Sequence, residues 1–481
     1  MRTKKAAPGP ARASAGEAPV AHQALTATMS RWAAGLEFRH LSQDAVHHAK
    51  RLLLDSVGCA LGGYHREHVT IALEVLEELA GRGDATVIGT GKRIDAVSAA
   101  LANALMIRAM DYNDIYWNQD PSHPSDLFPA AMACCERAQS DGKELTVALV
   151  LGHEVEMRLC EVAFPGIRER GWHHATLTAF ASPIVAGRAL RLTGQQIQHA
   201  IGIAASRHCT LGAVTAGKLS MMKNTADPMA TQVGVLAALL AEKGYTGPEH
   251  ILDGKEGLVQ CLGPDWKLHM LTDGLGDSWR ITRCGMKLFP TEALTHTPIS
   301  AVLDLVRDNH LHVDAVEHIQ IRTLQRATDI LADPSKYDPR TPEAADHSLP
   351  YVIAAALVDR QVTPAQFTPD RIMDPTIRAQ LQKVEVVADP DVETAFPTLQ
   401  RVVVTITTRD GRRLTKDLDF PKGDPRNPLT DREIEEKFAA VADGVLTPAA
   451  QKNLREAIWN VERIGSVSGL MRLMTADVQG R

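Results

Sequence analysis

The chain has 481 residues, room for two or more domains of roughly 100 to 200 residues, and its 44% hydrophobic and 23% charged content is that of a soluble globular protein. A net charge of -6 supplies no general basic field, which argues against nucleic acid as a partner and requires that any anionic ligand be met by a local cluster of Lys, Arg or His. The cysteines Cys59, Cys134, Cys135, Cys160, Cys209, Cys261 and Cys284 follow no ligand spacing, against a disulfide framework or an iron–sulfur cluster, and no apolar run reaches the ~18 residues of a membrane span. A cytoplasmic protein is expected.

Residues 1–27, with Lys4, Lys5, Pro8, Pro10 and Arg12 and no acid before Glu17, read as a disordered tail, with an organellar presequence as the alternative. Ser42 then caps a helix that places Val46, Ala49, Leu53, Val57, Ala60 and Leu61 on one face and stops at Gly62-Gly63. Ile71, Leu76 and Leu79 continue the helical period to Gly81, residues 86–88 read as extended, and Asp95 caps a third helix through Ala99, Ala102, Leu105 and Met106. That helix delivers the chain into residues 110–126, a polar segment whose Pro121 and Pro124 forbid a continuous helix. Further helices are expected over residues 129–138, 145–163, 177–192, 195–207 and 231–243, so that the first part, 28–284, reads as all helical.

After Pro290 the character changes. A helix over 298–308, a strand over 318–324, a helix over 349–359 and a strand over 384–388 lead to strands 401–408 and 413–419, joined by the hairpin signal Asp410-Gly411. Residues 285–421 therefore read as a compact α+β domain. Beyond a linker at 421–428, Thr430-x-x-Glu433 supplies a capping box and Thr447-Pro448 starts a last helix, so that 422–481 returns to helix and is expected to dock on the first part.

Four places combine polar groups with structural punctuation: Asp111, Asp114, Asp120, His123 and Asp126 in the polar segment, Gly171-Trp172-His173-His174, Met221-Met222-Lys223-Asn224, and Gly285-Met286-Lys287-Leu288-Phe289-Pro290. Loops held by rigid elements commonly carry function. Each place also has a bland reading, as a helix cap, a solvated turn or a lysine on a polar face. His153-Glu154 begins a zincin-like string but has Met157 where the second ligand should stand, and reads as a surface helix; Gly89-Thr90-Gly91-Lys92 lacks P-loop spacing and reads as a turn; Cys134-Cys135 read as buried apolar cysteines.

Three passages carry a family resemblance: Arg51-Leu52-Leu53-Leu54-Asp55-Ser56-Val57-Gly58-Cys59, then Met110-Asp111-Tyr112-Asn113-Asp114 with His123-Pro124-Ser125-Asp126, and Ala345-Asp346-His347-Ser348-Leu349-Pro350-Tyr351. On these the chain is identified as a member of the MmgE/PrpD family from about residue 31 to 474, most similar to its 2-methylcitrate dehydratases. The resemblance implies a large helical domain formed by both ends of the chain, an inserted smaller α+β lid, a homodimer and an active site at the junction. It places catalytic residues at Asp111, His123 and His173 or His174, and substrate-binding residues at Lys223, Lys287, Asp114 and Ser125. His173 matches the decarboxylase pattern and His174 the dehydratase pattern. The family also holds cis-aconitate decarboxylases and an epimerase of an imino-dicarboxylate, so membership leaves the reaction open. The twelve-residue step from Asp111 to His123 resembles the dehydratases, whereas Ile115 stands where a threonine is frequent.

The expected chemistry is elimination of water from a citrate-like tricarboxylate, 2-methylcitrate first, without metal or cofactor. One histidine would take the carbon-bound proton and the other protonate the leaving hydroxyl, while Lys223 and Lys287 bind carboxylates and stabilise the developing anion. The alternatives are cis-aconitate decarboxylation and a catalytically silent tricarboxylate-binding homologue, which Ile115 keeps open.

Overall fold

A computed structural model describes residues 24–476 apart from 217–218 and 264. The expected tail and its presequence alternative fall on residues 1–23, outside those described, but helix Leu25–Ala34 already begins within the 1–27 stretch. Tertiary bonds set that start: the Leu25 N–H donates to Asp253 Oδ2 at 2.9 Å and Thr26 Oγ1 to the Glu249 carbonyl at 2.6 Å. Such long-range partners leave no local signature.

The protein is mainly helical. Ser42 caps helix Gln43–Gly63 by accepting from the Ala45 N–H, and Asp95 caps helix Ala96–Arg108 through Ser98. Gln43–Gly63 packs against Ala96–Arg108 and against Asp431–Ala442 from the far end of the chain. Gly58 permits the second approach, because a Cβ there would lie 3.1 Å from Val441 Cγ2 and 3.2 Å from Phe438 Cδ2. Helix Asp431–Ala442 opens with the Thr430/Glu433 capping box that the sequence predicts. A second group joins Ala175–Ala189 to Gly194–Ala205 and Ala226–Glu242, with Ser182 Oγ donating to the Ala230 carbonyl at 2.8 Å.

Two expectations need correction. The first part is not all helical: Ala85–Thr86 pairs with Arg93–Ile94, and Asp114–Trp117 pairs with both Pro121–Ser122 and Gly285–Met286. These strands are two to four residues long, too short to show a period, and the pairing partner of Asp114 is Met286, far along the chain. Helix Gly142–Val162 is also no surface helix; His153 and Glu154 are fully buried. Its polar side chains are paired instead of solvated, Glu154 Oε1 with Arg158 at 2.7 Å and Arg280 at 2.9 Å.

Buried apolar residues form two main clusters, one drawn from positions 29–286 and again from 429–474, the other from 289–406. The second contains a four-stranded sheet in the order Val384–Ala388, Val316–Thr323, Val402–Thr408, Arg413–Leu418, parallel in its first pair and antiparallel in the others. Helix His296–Asp308 packs on it, and Gly411 turns the hairpin with φ 85°. Among the described residues no helix is long and apolar enough to cross a membrane.

Candidate active site

Asp111 follows helix Ala96–Arg108 and is held in the left-handed region, φ 47°, which Asp tolerates better than most side chains. Its carboxylate is buried among three cations: Arg108 Nη1 and Lys287 Nζ lie 2.7 and 2.8 Å from Oδ1, and Lys223 Nζ lies 3.2 Å from Oδ2. Burial opposes ionisation, but Lys223, Lys287 and Arg108 outweigh it and hold the Asp111 pKa well below the usual carboxylate range. Asp111 is therefore the counter-ion of a cationic cluster and a poor proton donor. Lys287 also donates to the carbonyls of Asp111 and Thr291, at 3.1 and 2.9 Å. From behind, Lys437 Nζ pairs with Asp55 at 2.6 Å and donates to the carbonyls of Tyr112 and Lys287, at 2.7 and 2.8 Å.

His123 Nδ1 sits 2.6 Å from the Asp114 carbonyl oxygen. A carbonyl only accepts, so Nδ1 carries the proton of the neutral ring and Nε2 keeps its lone pair. Burial, then Arg108 and Lys287, push the His123 pKa well down, which keeps that form at neutral pH. In His173 the tautomer is reversed: Nδ1 accepts from the Ala175 N–H at 3.2 Å, so the neutral ring is protonated at Nε2. Burial and the adjacent His174 lower its pKa. His174 Nε2 lies 3.2 Å from Asp227 Oδ2, a buried carboxylate that His174, His173 and Arg108 keep ionised against the cost of burial. Gly171, at φ 84°, ends the preceding turn and lets the chain bring both imidazoles to the start of helix Ala175–Ala189.

These groups line one cavity of about 530 Å³, a volume suited to a small molecule. Asp111, His123, His173, His174, Lys223 and Lys287, expected from sequence at four separate places, all face it. Asp114 and Ser125, expected as substrate contacts, do not: both are fully buried behind the wall, with Ser125 Oγ donating to Asp114 Oδ1 at 2.6 Å and His153 Nε2 lying 3.1 Å from Asp114 Oδ2. Their arrangement holds the backbone that fixes His123. Ile115 lines the cavity and brings no hydroxyl to it.

Sequence reasoning missed Arg108, Arg168, Asp227, Glu292, Lys336 and His347 as parts of this site. Arg108, Arg168, Glu292, Lys336 and His347 face the cavity, and Asp227 backs His174. His347 Nδ1 lies 2.5 Å from Asp346, whose other oxygen is 3.8 Å from Lys223; its Asp-His motif was conspicuous but had no assigned role. The lining cations Arg108, Arg168, Lys223, Lys287 and Lys336 face the acids Asp111 and Glu292, five against two, a surplus of three positive charges with the histidines counted neutral. Two sets of polar atoms, in Asp114, His153 and Cys284 and in His173, His174 and Asp227, lie within 4.8 Å of one another. An imidazole–carboxylate pair accounts for each set.

Imidazoles in opposite tautomers and surplus cations around one cavity suit acid–base chemistry on a polyanionic small molecule. Residues 27–270 match the MmgE/PrpD N-terminal domain and residues 289–463 the MmgE/PrpD C-terminal domain, and the chain belongs to the MmgE/PrpD family. It is 27% identical to a cis-aconitate decarboxylase-like protein of Aspergillus oryzae over 94% of this chain and 98% of that protein. It is likewise 27% identical to the human cis-aconitate decarboxylase, over 92% of both chains. The 2-methylcitrate dehydratase of Escherichia coli is 24% identical over 80% of this chain and 83% of its own. These relatives are lyases.

Proposed function

We propose that the protein is a lyase acting on a citrate- or aconitate-class tricarboxylate, and that its reaction is elimination of water from a 2-methylcitrate-like hydroxy acid without a metal or cofactor. The opposite protonation of His123 and His173 on one cavity, with the His174–Asp227 pair beside them, carries the reading. His123 Nε2 takes the proton from the carbon beside a carboxylate, and the His174–Asp227 pair, with His173 beside it, gives a proton to the departing hydroxyl. Lys223, Lys287 and Arg108, held in place by Asp111, stabilise the charge that develops on that carboxylate. The surplus of three positive charges in the lining suits a trianion. In this reading the 289–406 cluster is a lid over the cavity, the chain works as a homodimer, and Asp114 and Ser125 orient the base instead of touching substrate.

Decarboxylation of cis-aconitate is the second reading. The longer coverage by decarboxylase relatives favours it, as does His173 facing the cavity. Decarboxylation needs a proton donor but no base, so His123 discriminates. Purified protein is offered 2-methylcitrate, citrate and cis-aconitate while alkene absorbance and released carbon dioxide are followed together. Alkene without gas, lost in His123→Gln, supports elimination; gas from cis-aconitate that survives His123→Gln replaces it with decarboxylation; binding without turnover leaves a silent homologue.

A further inference from the structure

Glu156 lies on helix Gly142–Val162, fully buried and outside the cavity lining. Its Oε1 accepts from Ser122 Oγ at 2.5 Å and from Thr178 Oγ1 at 2.8 Å. Thr178 Oγ1 is also 3.5 Å from Asp227 Oδ1, and the other oxygen of Asp227 is 3.2 Å from His174 Nε2. The side chains thus form a line from Glu156 through one hydroxyl to the carboxylate behind His174.

We propose that Glu156 is a positioning residue for the His174–Asp227 pair and acts through the hydroxyl of Thr178. This rests on the reading of His174 as a proton donor. A threonine hydroxyl has one proton to donate. When Glu156 is ionised, Thr178 gives that proton to Glu156, and Asp227 faces His174 Nε2 unaided. When Glu156 is protonated and donates to Thr178, the Thr178 proton turns to Asp227 Oδ1. A carboxylate that accepts one more hydrogen bond is a weaker base and stabilises the His174 imidazolium less, so the ring releases the proton on its other nitrogen, Nδ1, more readily to the leaving group.

The surroundings of Glu156 favour the protonated form. Among the described residues no Lys or Arg pairs with it. The titratable groups that bear on it are Asp227, Asp114 and Asp126 on three other elements and Cys160 on its own helix, while Arg108 is engaged by Asp111 and Asp126. Burial raises its pKa to about 7, against the bonds from Ser122 and Thr178 and with the help of Asp227 and Asp114.

The test uses the full chain with Thr178→Val, Thr178→Ser and Glu156→Gln. The readouts are the titration of the His174 imidazole by nitrogen NMR, assigned by loss of the signal in His174→Gln, and the pH profile of kcat. Thr178→Val should displace the His174 curve from that of the wild type and lower kcat about three- to tenfold, the scale of one hydrogen bond, with KM within about twofold. Thr178→Ser, which keeps the hydroxyl, should recover most of that loss. Glu156→Gln should flatten the kcat profile around neutrality. Titration curves and profiles that superimpose on the wild type in both Thr178→Val and Glu156→Gln overturn the proposal. Wild-type turnover in His174→Gln would instead overturn the proton-donor reading, while the NMR titration still decides whether Glu156 and His174 are coupled.

Discussion

Replacing Lys287 by Met removes a charge but keeps most of the volume, and the consequence follows from its partners. Lys287 Nζ holds Asp111 Oδ1 at 2.8 Å and the carbonyls of Asp111 and Thr291 at 3.1 and 2.9 Å, all away from solvent. Breaking one side of a buried ion pair costs about 3–5 kcal/mol. Arg108 and Lys223 still face Asp111, at 2.7 and 3.2 Å, so the lower end applies. For catalysis the relevant loss is one cationic donor to the developing anion, about 2.7–4 kcal/mol, and about 3 kcal/mol lost from the transition state is about a hundredfold in kcat/KM. Alkene formation from 2-methylcitrate or citrate, read beside a thermal melt, separates catalysis from folding. A double-mutant cycle with Asp111→Asn checks the origin of the loss: the two changes should be clearly less than additive, because each removes the other's partner. Lys287→Met with kcat/KM within threefold of wild type and an unchanged melting temperature would falsify this account of the cluster.

Acid stability should be governed by buried neutral histidines. Burial lowers the pKa of His123, His173 and His296, the last to about 3, with help from Arg108 and Lys287 at His123, His174 at His173 and Lys287 at His296. The unfolded chain binds their protons near pH 6.5 and the folded chain does not, so their contribution is whole above that pH and is lost as pH falls toward the folded values. The slope is about 1.4 kcal/mol per pH unit for each group; a urea midpoint that stays flat from pH 7 to 5 would contradict it. Lys437→Met should destabilise by about 3–5 kcal/mol in denaturant titrations, since Asp55 is left buried without its 2.6 Å partner. Ile115→Thr adds a hydroxyl to the cavity wall and should change the ratio of kcat/KM between 2-methylcitrate and cis-aconitate by about tenfold; an unchanged ratio would remove Ile115 as a specificity determinant. Lys336, buried and 3.9 Å from its nearest acid, Asp333, has no tie to Asp111; Lys336→Met should raise KM about tenfold and leave kcat within a few-fold.

What was legible from sequence and what was not divides along physical lines. Ser42, Asp95 and Thr430 each announce a helix by a side-chain bond to a backbone N–H three residues on, and such local chemistry is written in adjacent letters. The pairing of Asp114 with Met286 and the ring of cations around Asp111 join distant parts of the chain and carry no periodicity. Asp227 gave no signal, because the sequence pattern starts its helix at 231 whereas the helix begins at Ala226 and carries Asp227 in its first turn. Asp114 and Ser125 misled in the opposite sense. The resemblance places them against substrate, yet these side chains satisfy one another inside the protein, and only their position in space shows that they stand behind His123.

The way residues 110–126 are fastened also divides the cavity wall into two unequal halves. Asp114–Trp117 pairs with Gly285–Met286, and Lys437 binds the carbonyls of Tyr112 and Lys287, so the backbone around Asp111 and Lys287 is tied to the first core cluster at several points. His123, fixed by the Asp114 carbonyl, and His174, fixed by Asp227, belong to the same tied half. Glu292, Lys336 and His347 reach the cavity from the stretch that builds the second cluster. In the proposed reaction, proton transfer demands sub-ångström constancy between His123, His174 and the cations Arg108 and Lys287, and these four stand on the tied half. Any movement between the two clusters would change how tightly the substrate is held while leaving the distance between His123 and His174 as it is.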